Sequence, residues 1–444
     1  MSPGRMRCIA VLALIFAGAG GAPFASPKDQ APKVPEGPSG QVQFQIVHAF
    51  GAAGDGVAPG DGVVMDSKGN LYGTTEGGGA FNGGTVYEMT PGANGQWTET
   101  ILYNFPDGPP DGSEPNGVVM DGAGNLYGVT EFGGDGQYCG DTSGCGTIFE
   151  LSPGSGGVWT ESILYNFCSL AYCADGAFPI FPPTLGPGGV LYGIGGGVYE
   201  LAPGSGGWTF SIIYTLCSQP GCEFTSSLTL DAKGNLYGEG GNGQKMGQCR
   251  AEFGCGIVFA LHPQSDGQWN EIVLYEFENN SADDGISPEG GLTFHDGGLY
   301  GVTNAGGSDC VNVGGCGTVF QLTRGSVKNV NEQVPWSFGA NAAQGLNPGT
   351  WVVFDRRGDF FGVTGIGGEG CGGIGCGVVY GMRQQTNGKW KYAVLHTFDG
   401  SDGVEPDSGL TMDSKGNLFG TTGGGGQYGY GVLYEISPTT QASK

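Results

Sequence analysis

The sequence predicts an all-β protein: a seven-bladed β-propeller of four-stranded antiparallel blades, closed by an N-terminal strand in the last blade. Three observations predict it. A tripeptide of the Leu-Tyr-Gly type recurs seven times, starting at residues 71, 126, 191, 236, 299, 360 and 418. Each copy is accompanied by the same four short runs of β-branched and aromatic residues, bounded by Gly, Pro, Asn and Asp. No helical apolar period occurs between residues 41 and 438. Repeated four-stranded units of this length are blades, and blades in a ring make a propeller.

In chain order, Arg5 and Arg7 precede an apolar run from Cys8 to Ala19, which reads as a secretory signal. At about 12 residues that run is too short to span a bilayer. Residues 1–25 are therefore expected to be a signal peptide and 26–40 a Pro-rich linker. Residues 41–438 form the propeller, and 439–444 a short C-terminal tail without an apolar anchor. In the first repeat, strand A is GVVMD (62–66), strand B NLYGTT (70–75), strand C GTVYEMT (84–90) and strand D WTETILYNF (97–105). The A–B turn carries Asp-x-x-Gly-Asn at Asp66, Asp121, Asp231 and Asp413, with a variant at Asp355, as suits a tight hairpin needing a positive φ. A strand of the D type, residues 41–50, precedes the first strand A, whereas the last repeat stops at strand C (431–438). Residues 41–50 are expected to complete the seventh blade, latching the ring and removing an exposed edge.

These elements, G-N-L-Y-G-T-T, a Gly-rich loop, G-T-V-Y-E-L and L-Y-x-F, resemble the GloVer tandem repeat of secreted bacterial "choice-of-anchor" proteins. More loosely they are similar to NHL-type propellers. The resemblance covers residues 41–438 and implies a bacterial, exported, propeller-like protein; it brings no catalytic residues. Two departures are visible: no C-terminal anchor, and a third repeat (184–201) that lacks the Asp turn and most of its B–C loop.

Composition limits the partners. The chain holds 94 Gly and 25 Pro among 444 residues, yet 38% of it is hydrophobic and 11% aromatic, so it is folded and dense in turns. With 17 Lys+Arg against 42 Asp+Glu the formal charge is −25, which excludes nucleic acid and anionic membrane surfaces as partners. No membrane span and a monomeric state are expected.

Besides Cys8, twelve cysteines fall in six close pairs: Cys139/Cys145, Cys168/Cys173, Cys217/Cys222, Cys249/Cys255, Cys310/Cys316 and Cys371/Cys376. In an exported chain they read as disulfides rather than a metal centre, since each pair belongs to a separate blade connection. Their expected service is to pin Gly-rich loops that have no core of their own. All lie in B–C or D–A connections, which an antiparallel meander places on one face, together with every loop of variable length. That loop face is the expected binding face.

Within it, an Asp-Gly-x-x-Pro element precedes strand A at Asp55, Asp111, Asp175, Asp284 and Asp402. Five carboxylates around a ring mouth could hold Ca²⁺ through oxygen ligands. The favoured reading is a turn in which Asp bonds its own backbone, and no cofactor is expected. His48 and His396 occupy the strand-D slot that holds Tyr103, Tyr165, Tyr214 and Tyr275 in other repeats, which marks them as packing residues away from the loop face. The B–C loop of the third repeat is only Ile194-Gly195-Gly196, leaving a notch whose expected rim is Tyr172, Phe178, Phe181 and Phe224. Those aromatics could equally plug the central channel. The expected function is a non-catalytic module that binds a protein or glycan through the loop face; the alternative is a polysaccharide hydrolase or lyase using loop-face carboxylates.

Overall fold

The computed structural model describes residues 42–140, 143–215, 226–240, 255–278, 284–307, 316–324, 330–339 and 341–438. Seven antiparallel sheets follow one another, each a meander in the order A-B-C-D. In the first blade the strands are Val64–Met65, Leu71–Gly78, Asn82–Pro91 and Trp97–Pro106. The seventh combines Thr411–Met412, Leu418–Thr422 and Val432–Pro438 with Val42–Ala49 from the start of the chain. That pairing runs from Val42↔Pro438 to Ala49↔Val432, so the ring is latched as the repeats predict.

Strand A of each blade meets strand A of the next. The Thr184 hydroxyl donates to the Leu228 carbonyl, Thr229 to Leu292, Thr293 to Val352, and Thr411 to Val63 across the closure. Strand A is therefore innermost, around the axis. Between blades the core is aromatic. The last residue of strand D is fully buried and meets the strand-C aromatic of the following blade: Phe50 on Tyr87, Phe105 on Phe149, Phe277 on Phe320, Phe398 on Tyr434. This contact explains the glycine of Leu-Tyr-Gly, because a Cβ on Gly73 would strike the Tyr87 hydroxyl. The Trp residues that open strand D also pack between blades, as Trp159 does on Tyr72 and Trp269 on Tyr192.

The expected Asp-Gly-x-x-Pro turn is found in part: Asp55 and Asp111 each accept from the N–H of the following glycine at 2.7 Å, but in the first, second and fifth blades the element is also strand, whereas in the third and seventh it lies outside the strands. Gly56–Pro59 pairs with the end of strand B through Gly56↔Gly78 and Pro59↔Thr75. In the second and fifth blades the element is continuous with strand A, as Gly112–Met120 and Gly285–His295. In those three blades Gly and Pro also serve a bulged, edge-like pairing that only the neighbouring strand B completes.

Candidate functional site: the loop face

The Asp-Gly-x-x-Pro element builds the floor of the loop face. Its residue before Pro has a positive φ in six blades: Ala58, Glu114, Phe178, Ser287, Asn347 and Glu405, all between 53° and 57°. What holds this strained backbone is the preceding blade. The N–H of Phe178 donates to the Cys145 carbonyl, Ser287 to Cys255, Asn347 to Cys316, and Glu405 to Cys376. The second cysteine of each B–C pair is thus at the joint between two blades.

Disulfides Cys139–Cys145, Cys168–Cys173 and Cys371–Cys376 are formed, and Cys255 and Cys316 are also disulfide-bonded. Cys217, Cys222, Cys249, Cys310 and Phe224 lie outside the described residues. The setting of Cys173 corrects the expectation of loops without a core. Cys173 is half-buried and, with Cys139, packs against the cluster that holds Phe167, Leu191 and Tyr199. Its connection is an irregular turn at Ala171–Cys173, with Tyr172 and Cys173 both left-handed at φ 60° and 50°. Cys173 N–H donates to the Leu170 carbonyl, and Gly176 N–H donates to the Cys173 carbonyl. Backbone bonds and apolar contact thus share with the disulfide the work of fixing this loop. The sequence could not show it, because the apolar partners belong to the next blade.

The five aspartates are committed to internal partners. Asp55, Asp175 and Asp284 are buried. Asp111 accepts a 2.5 Å hydrogen bond from the Tyr103 hydroxyl, and Asp175 one of 2.7 Å from Tyr165. Asp55 and Asp402 lie 3.0 and 2.8 Å from Nε2 of His48 and His396. Backbone N–H groups of Gly56, Ser169 and Glu278 satisfy further oxygens of Asp55, Asp175 and Asp284. His48 and His396 therefore do reach the loop-face connections, a correction to their expected placement. The strand-D slot is a hydrogen-bonding slot, in which imidazole and phenol are interchangeable donors.

Three of the four aromatics expected at the rim are among the described residues. Tyr172 is 99% exposed and Phe178 42% exposed, while Phe181 is half-buried. Phe178 leans on Phe132, with ring centroids 5.5 Å apart. The B–C loop of the second blade is tied to the same connection, since Tyr138 N–H donates to the Cys168 carbonyl. Tyr138, Leu170 and Ile180 add to the exposed apolar surface there. Burial, then repulsion from Glu114 and Glu131, pushes the Glu76 carboxyl above its ordinary range.

Sequence reasoning missed a second feature. Between blades five, six and seven, a cavity of about 370 Å³ is lined by Glu289, Asn304, Asn347, Glu405, Asp407 and neighbouring backbone. Desolvation, then the Asp407 charge, raises Glu289; desolvation, then Glu405, raises Asp407. One signal could have found it: Glu405 and Asp407 flank Pro406 of the seventh blade's element, and Glu289 follows Pro288 of the fifth blade's. A buried acid, Glu239, stands in the strand-B slot that holds Val129, Val302 and Val363 elsewhere. Its Oε2 accepts from Gly291 N–H at 3.0 Å, and burial pushes its carboxyl up to about 8.

No helix among the described residues is long and apolar enough to cross a membrane. The disulfides fit an oxidising, extracytoplasmic compartment. No curated protein matches the chain. Among solved structures, an ancestral GH74 enzyme superposes with a TM-score of 0.54 at 12% identity, over 93% of this chain and 52% of that one. A gluconolactonase from Xanthomonas campestris matches over 92% of this chain and 100% of its own, at 14% identity and a TM-score of 0.37. The first of these likenesses shows the propeller fold alone. A family model, the Gloeobacter/Verrucomicrobia repeat, matches residues 37–249 and again 252–444. With two matches that together span the propeller, the chain belongs to the Gloeobacter/Verrucomicrobia repeat family.

Proposed function

We propose that this is an exported, monomeric binding module that engages a protein or glycan through its disulfide-pinned loop face without transforming it. The observation that carries the reading is the cluster of exposed Tyr138, Leu170, Tyr172, Phe178 and Ile180 on connections stitched by two disulfides. Large apolar side chains held on rigid loops give contact area at low ordering cost. Most repeat-slot residues of catalytic type, namely His396, Asp111, Asp175, Asp284 and Asp402, are spent on bonds inside the fold. A glycan array probed with the mature protein, run beside a polysaccharide panel assayed for product release, tests this. Binding without turnover supports the module; sustained product release overturns it.

A second reading is favoured by the cavity. Glu289, Glu405 and Asp407 offer carboxylates of which two are held above their ordinary range, the arrangement acid–base hydrolysis or elimination needs. Under that reading Glu289→Gln and Asp407→Asn abolish product release while leaving the loop-face apolar cluster intact.

A further inference from the structure

Along the outer seam between successive blades, one residue of strand D meets the residue four places earlier in the next strand D. The pairs are His48 with Glu99, Tyr103 with Glu161, Tyr165 with Phe210, Tyr214 with Glu271, Tyr275 with Glu332, Trp336 with Tyr392 and His396 with Phe44. Where the partner is aromatic the rings stack, as Tyr165 and Phe210 do at 4.0 Å. Where it is Glu, a phenol faces it in every seam but one. That one is the closure seam between blades seven and one, where an imidazole faces two carboxylates.

There His48 Nε2 lies 3.0 Å from Asp55 Oδ2 and 3.7 Å from Glu99 Oε2, and the three ligand atoms fall within 4.8 Å of one another. A first-row dication sits about 2.0–2.2 Å from imidazole nitrogen and carboxylate oxygen, which requires ligand atoms roughly 3.0–3.6 Å apart. The His48–Asp55 side has that length, and Glu99, at 3.7 Å from His48 and within 4.8 Å of Asp55, has to draw in to complete the triangle. Asp55 is fixed in place by N–H groups of Gly51 and Gly56, at 3.1 and 2.7 Å. Glu99 Oε1 is buried without a hydrogen-bond partner, so that carboxylate has unused acceptor capacity. Side-chain exposures of 23% for His48 and 18% for Glu99 leave a way in from the outer surface and room for water at further positions. No other group of three His, Cys, Asp or Glu among the described residues converges in this way. The twin His396–Asp402 pair has Phe44 stacked at 3.7 Å where the third ligand would stand.

We propose that His48, Asp55 and Glu99 form a binding site for a zinc-class transition-metal dication at the seam where the ring closes. One nitrogen and two oxygen donors suit Zn²⁺ or Mn²⁺; the imidazole disfavours Ca²⁺ and Mg²⁺, which take oxygen ligands. A bound ion would join strand D of the seventh blade to strand D of the first, and so add to the latch that the Val42–Ala49 strand provides.

The test uses tag-free mature protein, stripped with a chelator and titrated with ZnCl₂ by calorimetry. The wild type is expected to take up one Zn²⁺ per chain and to melt at a higher temperature with the ion bound. His48→Tyr rebuilds the phenol seam of Tyr103 and should fold normally while binding Zn²⁺ at least about tenfold more weakly. Glu99→Gln should weaken binding likewise, and His396→Tyr should leave it unchanged. Absence of saturable Zn²⁺ uptake by the wild type overturns the site. Equal uptake by the folded His48→Tyr protein, or equal affinity for CaCl₂, overturns it as well.

Discussion

The Tyr275 hydroxyl, in the fourth blade, donates a 2.8 Å hydrogen bond to Oε2 of Glu332 in the fifth. Fifty-seven residues separate the two, one repeat, and the bond crosses the seam between blades. Glu332 Oε1 has no partner, so Tyr275 supplies the main satisfaction of a half-buried carboxyl. Tyr275→Phe should destabilise the protein by about 1–2 kcal/mol in urea denaturation, the cost of leaving such a group unsatisfied. Adding Glu332→Phe should recover much of the loss, because it recreates the stacked seam of Tyr165 and Phe210. A double variant no more stable than Tyr275→Phe alone contradicts the seam description.

Stability should fall from mildly acidic to alkaline pH. The Glu239 carboxyl is pushed from an ordinary 4.5 to about 8 by burial, and Glu99 and Glu161 are pushed to about 7. The folded state holds these protons more tightly than the unfolded chain. Their stabilising contribution is therefore complete near pH 4, is lost as pH rises through the window, and is exhausted above about pH 8. Thermal melts from pH 5 to pH 9 should show a falling midpoint. Glu239→Gln keeps an acceptor for Gly291 N–H and should flatten the slope; an unchanged slope would exclude Glu239 as a main source.

Gly377 and Gly54 separate steric need from backbone need. Both have positive φ, 94° and 87°. A Cβ on Gly377 would meet Pro406 Cδ of the next blade at 2.5 Å, whereas one on Gly54 meets nothing within 4 Å. Gly54→Ala should cost about 1 kcal/mol, from the left-handed backbone alone. Gly377→Ala should cost clearly more, since both the Thr364 carbonyl of its own blade and the Pro406 ring of the next must shift. Equal losses in guanidinium denaturation would deny the close packing at Gly377.

The number of blades and the latch were legible because repeats carry them: residues 41–50 match strand D wherever they sit in the chain. That Asp-Gly-x-x-Pro is strand in the first, second and fifth blades was not, because Gly56 and Pro59, for example, find their partners Gly78 and Thr75 only after strand B folds back. Nor was the positive φ of Phe178, which depends on a carbonyl, Cys145, in another blade. The pairing of Cys168 with Cys173 followed from spacing, but the packing of Cys173 against a core cluster did not, since that cluster spans two blades. The tyrosines and histidines of strand D read as packing residues in a repeat alignment. Their hydrogen bonds to Asp111 or Glu332 appear only when one blade is set beside the next. Glu239 was visible as a charge in a Val slot, and its departure from the repeat was the signal to follow.

The central claim is that the apolar cluster on blades two and three is a binding surface and not a plug of the fold. It is tested most directly with Tyr172→Ser combined with Phe178→Asn, the second chosen because Asn tolerates the φ of 55° at that position. The measurement pairs a glycan and protein array with a thermal melt of the same preparation. The account predicts loss of every signal that the wild type gives, with the midpoint nearly unchanged, because Tyr172 is 99% exposed. Retained binding, or a large fall in the midpoint with no ligand ever bound by the wild type, would contradict it.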